Sequence, residues 1–141
     1  MEKKRKVQQL IEAALEARGH SYAPYSHFHV GAALMTAEGR VYQGCNIENA
    51  SYTPTICAER NALFKAVYEG ERNFEMIAIA GSPEGPCTDY ATPCGVCRQV
   101  MMEFCDPKTF CVIIAKSPEE YMEYRLEELL PLGFGPANLK G

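Results

Sequence analysis

The chain has 141 residues, 47% hydrophobic and 23% charged, enough for one domain with its own core, expected to span 1–141, and no room for a second catalytic domain. Fourteen basic against eighteen acidic side chains leave a net charge of −4, which argues against long nucleic acid or an anionic membrane surface as partner. The longest apolar runs, such as Val30 to Met35 and Cys111 to Ala115, fall far short of the roughly 18 residues a bilayer span needs.

Val7, Leu10, Ile11, Ala14 and Leu15 form the stripe of an amphipathic helix over about Lys4 to Arg18, with Gly19 at its C-cap. After a loop containing Pro24, His29 to Met35 and Arg40 to Gly44 read as a hairpin turning across Ala37-Glu38-Gly39. Ala58, Ala62, Leu63, Ala66 and Val67 give a second helix from about Cys57 to Tyr68, closed by Gly70. Glu75 to Ala80 reads as a buried strand, Gly95 to Cys105 as a third helix, Phe110 to Ala115 as a further strand, and Arg125 to Leu130 as a short helix before a Gly/Pro-rich tail. Strands alternating with helices on this scale predict an α/β domain with helices on both faces of the sheet.

Seven cysteines is a high and odd number. The N-terminus, Met1-Glu2-Lys3-Lys4-Arg5-Lys6, carries no apolar signal-peptide core, so a cytoplasmic, reducing setting is expected, where clustered cysteines point to metal or catalysis rather than to disulfides. Pro93-Cys94-Gly95-Val96-Cys97 is the strongest local signal, since two thiolates at a turn entering a helix can reach one ion. The same C-x-x-C also suits a dithiol redox pair, half of a structural zinc site or two buried cysteines. Thirty-seven residues before Cys94, Cys57 opens another helix with Glu59 two positions on.

If Cys57, Cys94 and Cys97 bind one Zn²⁺, the fourth tetrahedral position is left for water, the arrangement of a catalytic site. Cys45, Cys87, Cys105 and Cys111 stand as alternative fourth ligands or as small buried hydrophobes, and the three histidines lack useful spacing. Glu59 beside the ligands suits proton transfer to and from zinc-activated water, although a glutamate at a helix N-terminus is also common for electrostatic reasons alone. Three thiolates leave the zinc site with a net charge of −1, which Arg60 and the positive ends of two helices are placed to offset.

Cys57-Ala58-Glu59 followed by Pro93-Cys94-Gly95-Val96-Cys97 resembles the zinc nucleobase-deaminase pattern in its three-cysteine form. Pro24-Tyr25-Ser26-His27-Phe28, Val30 to Leu34, Gly44 to Tyr52, Cys97-Arg98-Gln99-Val100 and Leu129 to Phe134 extend the similarity to the small homotetrameric cytidine deaminases over nearly the whole chain. The resemblance implies a three-layer α/β/α domain with a mixed central sheet, a Zn²⁺ cofactor, and hydrolysis of cytidine and deoxycytidine in pyrimidine salvage. It implies that Glu59 is the proton shuttle, that Phe28 stacks on the pyrimidine, and that Asn46 and Glu48 hold the ribose hydroxyls. Tyr52 and Ala58 would line the same pocket, and Phe134 would cap the base bound in a neighbouring subunit. A flat base needs an aromatic face, and a diol needs an amide and a carboxylate. By spacing alone, Phe28 equally suits a core aromatic, and Asn46 and Glu48 suit a turn. The intact Asn46-Ile47-Glu48 argues against a cytosine compound with an altered sugar, such as blasticidin S. A structural zinc or redox module is the reading from another class, and it has no use for Glu59.

Overall fold

The structure, a computed structural model, describes residues 2–139. Along the chain run α1 (Glu2–Arg18), β1 (Phe28–Thr36), β2 (Val41–Cys45), α2 (Ala58–Tyr68), β3 (Phe74–Pro83), α3 (Gly95–Phe104), β4 (Cys111–Ser117), β5 (Glu120–Arg125) and the single turn α4 (Leu126–Leu129). Among the described residues the five strands form one mixed sheet in the order β2-β1-β3-β4-β5, with β3 and β4 parallel and the other neighbours antiparallel. The parallel pair requires a crossover, and α3 supplies it.

The period-two alternation of the strands divides their side chains between two apolar layers. Ala33, Met35, Met76, Ala78, Ile113 and Ala115 face α1, which answers with Val7, Leu10, Ile11 and Ala14. Ala32, Leu34, Ile77, Ile79, Val112 and Ile114 face α2 and α3 through Ala62, Leu63, Ala66 and Met101. Each large aliphatic side chain so buried contributes roughly 1.5–3 kcal/mol. The expected three-layer α/β/α architecture is what the chain adopts.

Two glycines set how closely the helices lie on the sheet. A Cβ on Gly31 would stand 2.0 Å from the Ala14 carbonyl oxygen and 2.3 Å from the Arg18 nitrogen, so the last turn of α1 rests directly on β1. A Cβ on Gly44 would stand 2.4 Å from the Ala62 nitrogen and 2.6 Å from the Ala58 oxygen, so the first turn of α2 rests on β2. Bare backbone at these points permits an approach that any side chain would block.

The structure departs from the sequence reading at the far edge. Glu120–Arg125 is a strand that periodicity missed, because Glu120, Glu123 and Arg125 mark it as polar. Such charges are what an edge strand carries against edge-to-edge pairing. The short helix expected over Arg125 to Leu130 is only the turn Leu126–Leu129, with Arg125 as its N-cap.

Candidate metal centre and substrate pocket

Cys57 and Cys94 are the N-cap residues of α2 and α3, both in extended backbone, and Cys94 Sγ accepts from the Cys97 backbone N–H at 3.4 Å. Helix N-termini present unpaired N–H groups and the positive end of the peptide dipoles, which favours thiolates there. Cys97, one turn into α3, is buried, while Cys94 is exposed. The sulfurs of Cys57, Cys94 and Cys97 all lie within 4.8 Å of one another, and this is the one such ligand group among the described residues.

The Cys57 and Cys94 sulfurs are 3.7 Å apart. A disulfide requires about 2.05 Å, whereas two sulfurs on tetrahedral zinc with bonds near 2.3 Å stand about 3.8 Å apart. The three soft donors therefore fit Zn²⁺, and three protein ligands leave a coordination position for water. Within the cluster the Cys57 thiol is held well below the usual thiol range, first by the hydrogen bond from Cys97 and then by the bonds from Arg60 and Cys94, which outweigh burial. Arg60 donates to Cys57 Sγ at 3.3 Å, where a cation meets the excess negative charge of the thiolates.

Glu59 points inward from the first turn of α2 and is 5% exposed. Burial, followed by the negative charge of Cys57, raises its carboxyl to about 7. It lies on a cleft of about 180 Å³ whose wall includes Phe28, Asn46, Cys57, Ala58 and Cys94. Thus the fold brings together a carboxyl, two of the three thiols, an aromatic ring and an amide drawn from separate stretches of chain.

Asn46 bridges β1 with both ends of its amide. Its Nδ2 donates to the Phe28 carbonyl at 2.8 Å, and its Oδ1 accepts from the Val30 N–H at 2.9 Å. One Nδ2 hydrogen and one Oδ1 lone pair remain for a ligand. Glu48 occupies a neighbouring cleft with Tyr25, Ser26, Tyr52 and Thr55, and Thr55 also lines the first cleft. The Glu48 carboxylate accepts from the Tyr25 N–H at 3.0 Å, the Ser26 N–H at 3.2 Å and the Ser26 hydroxyl. Burial opposes ionisation, yet the bonds from Ser26 and Tyr25 hold its carboxyl below the usual range.

Tyr52, expected in the same pocket as Phe28, lines this second cleft instead. Its φ of 67° turns the chain, and its ring meets Tyr25 edge-on with centroids 6.3 Å apart. Phe134 lies at neither cleft of its own chain; it is 56% exposed, and its carbonyl accepts from Gln99 Nε2 at 2.8 Å. Sequence reasoning did not assign Thr55, Val30, Ile79, Ala91 or Thr92 to the pocket. Proximity in sequence to a cysteine could have flagged Thr55, two residues before Cys57, and Ala91-Thr92, just before Pro93-Cys94.

The remaining cysteines serve the interior. Burial pushes the Cys105 thiol up to about 12, and burial followed by a hydrogen bond to Glu123 does the same for Cys111. Cys45 closes β2 and is likewise raised by burial, and Cys87 sits in the β3–α3 connection.

Three thiols gathered at two helix N-termini beside a buried carboxyl, on a three-layer α/β sheet, define a zinc-binding α/β domain of catalytic type. Residues 4–113 match the model of the cytidine and deoxycytidylate deaminase zinc-binding region, and the chain belongs to that family. It is 44% identical over 133 residues to a cytidine deaminase of Sporosarcina psychrophila, covering 94% of each chain. It is 47% identical over 127 residues to one of Halalkalibacterium halodurans, covering 90% of this chain and 92% of that one. Among solved structures, the cytidine deaminase of Burkholderia pseudomallei superposes with a TM-score of 0.80 at 48% identity, covering 89% of this chain and 97% of that one.

Proposed function

We propose that the chain hydrolyses cytidine and deoxycytidine to uridine and deoxyuridine with release of ammonia. The observation that carries this reading is the buried Glu59 carboxyl lining one cleft together with Cys57, Cys94, Phe28 and Asn46. Zinc held by Cys57, Cys94 and Cys97 would supply a Lewis acid that brings a water's pKa near neutrality. Glu59 takes the proton lost by that water and passes it to pyrimidine N3. A new C–O bond forms at C4; Glu59 then takes the proton of that new hydroxyl and delivers it to the amino nitrogen, so that the C4–N bond breaks, ammonia leaves and a C4 carbonyl remains. Phe28 stacks on the base and Ala58 packs beside it. Asn46 and Glu48 reach the ribose hydroxyls from the two adjoining clefts, with Tyr52 at the outer one. Arg60 offsets the thiolate charge, which would keep a water on the zinc acidic.

The working form is a homotetramer of single-domain chains acting in the cytoplasm in pyrimidine salvage. Val41, Phe64 and Tyr68 form an exposed apolar group that suits burial against a second copy. Phe134, exposed and away from its own cleft, suits a cap on a neighbour's pocket.

The decisive measurement is the ultraviolet absorbance of cytidine incubated with the protein. Conversion to uridine is expected, and none would sink the reading in favour of a structural zinc module. Phe134→Ala and Glu59→Ala proteins should each be impaired and regain activity when dissociated and reassembled together. Mixed assemblies showing only the average of the parents would place Phe134 in its own chain's site.

A further inference from the structure

The connection between β3 and α3 carries Ala91 and Thr92 on the cleft wall and ends at Cys94. Among the described residues, none of 84–93 takes part in a backbone–backbone hydrogen bond. A wall without its own ladder must be held by side chains. At the far end Arg98 does so: its Nε donates to the Pro93 carbonyl at 2.7 Å and its Nη1 to the Leu129 carbonyl at 2.6 Å.

At the near end the holder is Arg18, the last residue of α1. Its Nε donates to the His29 carbonyl at 3.0 Å, and its Nη1 donates to the Gly85 carbonyl at 2.9 Å. Its Nη2 donates to the Ser82 carbonyl at 3.2 Å, the Ser82 hydroxyl at 2.8 Å and the Pro83 carbonyl at 2.6 Å. All five acceptors are neutral, so the guanidinium here acts as a fork of donors rather than as half of an ion pair. Its backbone is pinned by the contact of α1 with Gly31. One residue thereby ties together the end of α1, the β1 backbone next to Phe28, the end of β3 at Ser82 and Pro83 and, through Gly85, the start of the loop that carries Ala91 and Thr92. That loop returns to the sheet: a Cβ on Gly81 would lie 2.9 Å from Ala91 Cβ and 2.8 Å from Val30 Cγ2. Ala91 thus packs at the end of β3 beside Val30, and residues 82–85, which lead from that end of β3 into the loop, bear on how it sits there.

We infer that Arg18 is a positioning residue for nucleoside binding, setting the separation between Phe28 and the Ala91–Thr92 wall, a role that rests on the deamination reading above. Because Arg98 and the first turn of α3 hold Cys94 independently, the effect falls on substrate affinity and not on the metal.

Arg18→Met keeps the apolar stem and removes the donors. It should raise KM for cytidine about tenfold, change kcat by less than about threefold and leave zinc at about one per chain. By hydrogen exchange, amides of 82–92 should open faster while α3 keeps its protection. Arg18→Lys, with its donors on one nitrogen, should fall between the two. Ser82→Ala removes one acceptor at the end of β3, should shift KM in the same direction by less, and carries the test if Arg18→Met does not fold. An unchanged KM in the folded variant, or a lowered Tm with exchange faster throughout the chain, would make Arg18 an ordinary anchor for α1 and overturn the inference. Absence of wild-type activity on cytidine would instead strike the deamination reading, while unaltered loop exchange in Arg18→Met would overturn the clamp by itself.

Discussion

The two halves of the site are built by different means. The thiol half sits on the N-termini of α2 and α3, helices that bury Ala58, Ala62, Leu63, Cys97 and Met101 against the sheet. Apart from Phe28, the first residue of β1, the nucleoside half is made of loops: residues 46–56 joined by an isolated bridge between Ile47 and Ile56, the Tyr25–Ser26 turn held by Glu48, and the 84–93 connection held by arginines. Groups that must meet one ion within tenths of an ångström stand on elements fixed by packing. Groups that must admit a substrate and release a product stand mostly on segments held by isolated backbone bridges and side-chain bonds rather than by a continuous ladder. The contrast predicts that damage to the first half abolishes chemistry, and that damage to the second weakens binding.

The largest effect expected is from Cys94→Ser, which should lose zinc and all measurable turnover; metal analysis showing zinc equal to wild type would remove Cys94 from the ligand set. Glu59→Ala should keep both fold and zinc yet lose kcat by roughly 10²–10⁴ for each proton-transfer role it serves. Its KM should move far less, and near-normal kcat would reduce the carboxyl to a helix-end charge.

Asn46→Ala crosses the boundary between the halves, because it strands the Val30 N–H and the Phe28 carbonyl as well as removing the proposed ribose contact. It should raise KM and destabilise the fold by about 1–3 kcal/mol in denaturant titration. A KM effect with unchanged stability would separate the two roles.

The smallest effect tests a network outside both halves. Arg40, then Tyr42, hold the Glu71 carboxyl below its usual range. That stabilisation is present in full above the ordinary glutamate range and fades as pH falls through the depressed value. Glu71→Gln should therefore lower Tm at neutral pH and flatten its decline in acid, with activity at neutral pH unchanged. A parallel downward shift at every pH would show that the charge of Glu71 is not what stabilises.

Much of the thiol half was legible in advance for a local reason. Cys57 and Cys94 each stand where an apolar helical pattern begins, and Cys97 one turn on, so helix geometry alone directs their sulfurs to one end of an element. That the two ends coincide was not local. It follows from α2 resting on Gly44 and from α3 serving as the crossover between parallel β3 and β4.

Composition and periodicity thus determined one α/β layered domain, its three long helices, and the strands whose alternating side chains serve two cores. They could not determine β5, whose charged residues conceal a strand that exists because β4 offers it a free edge. Nor could they show that Asn46 spends its amide on the β1 backbone, that Tyr52 turns into a second cleft, or that Arg18 grips the end of β3, 64 residues away. These depend on which backbone groups are left without partners once the sheet has formed. Each unpaired carbonyl or N–H draws in whatever side chain the packing has brought within reach.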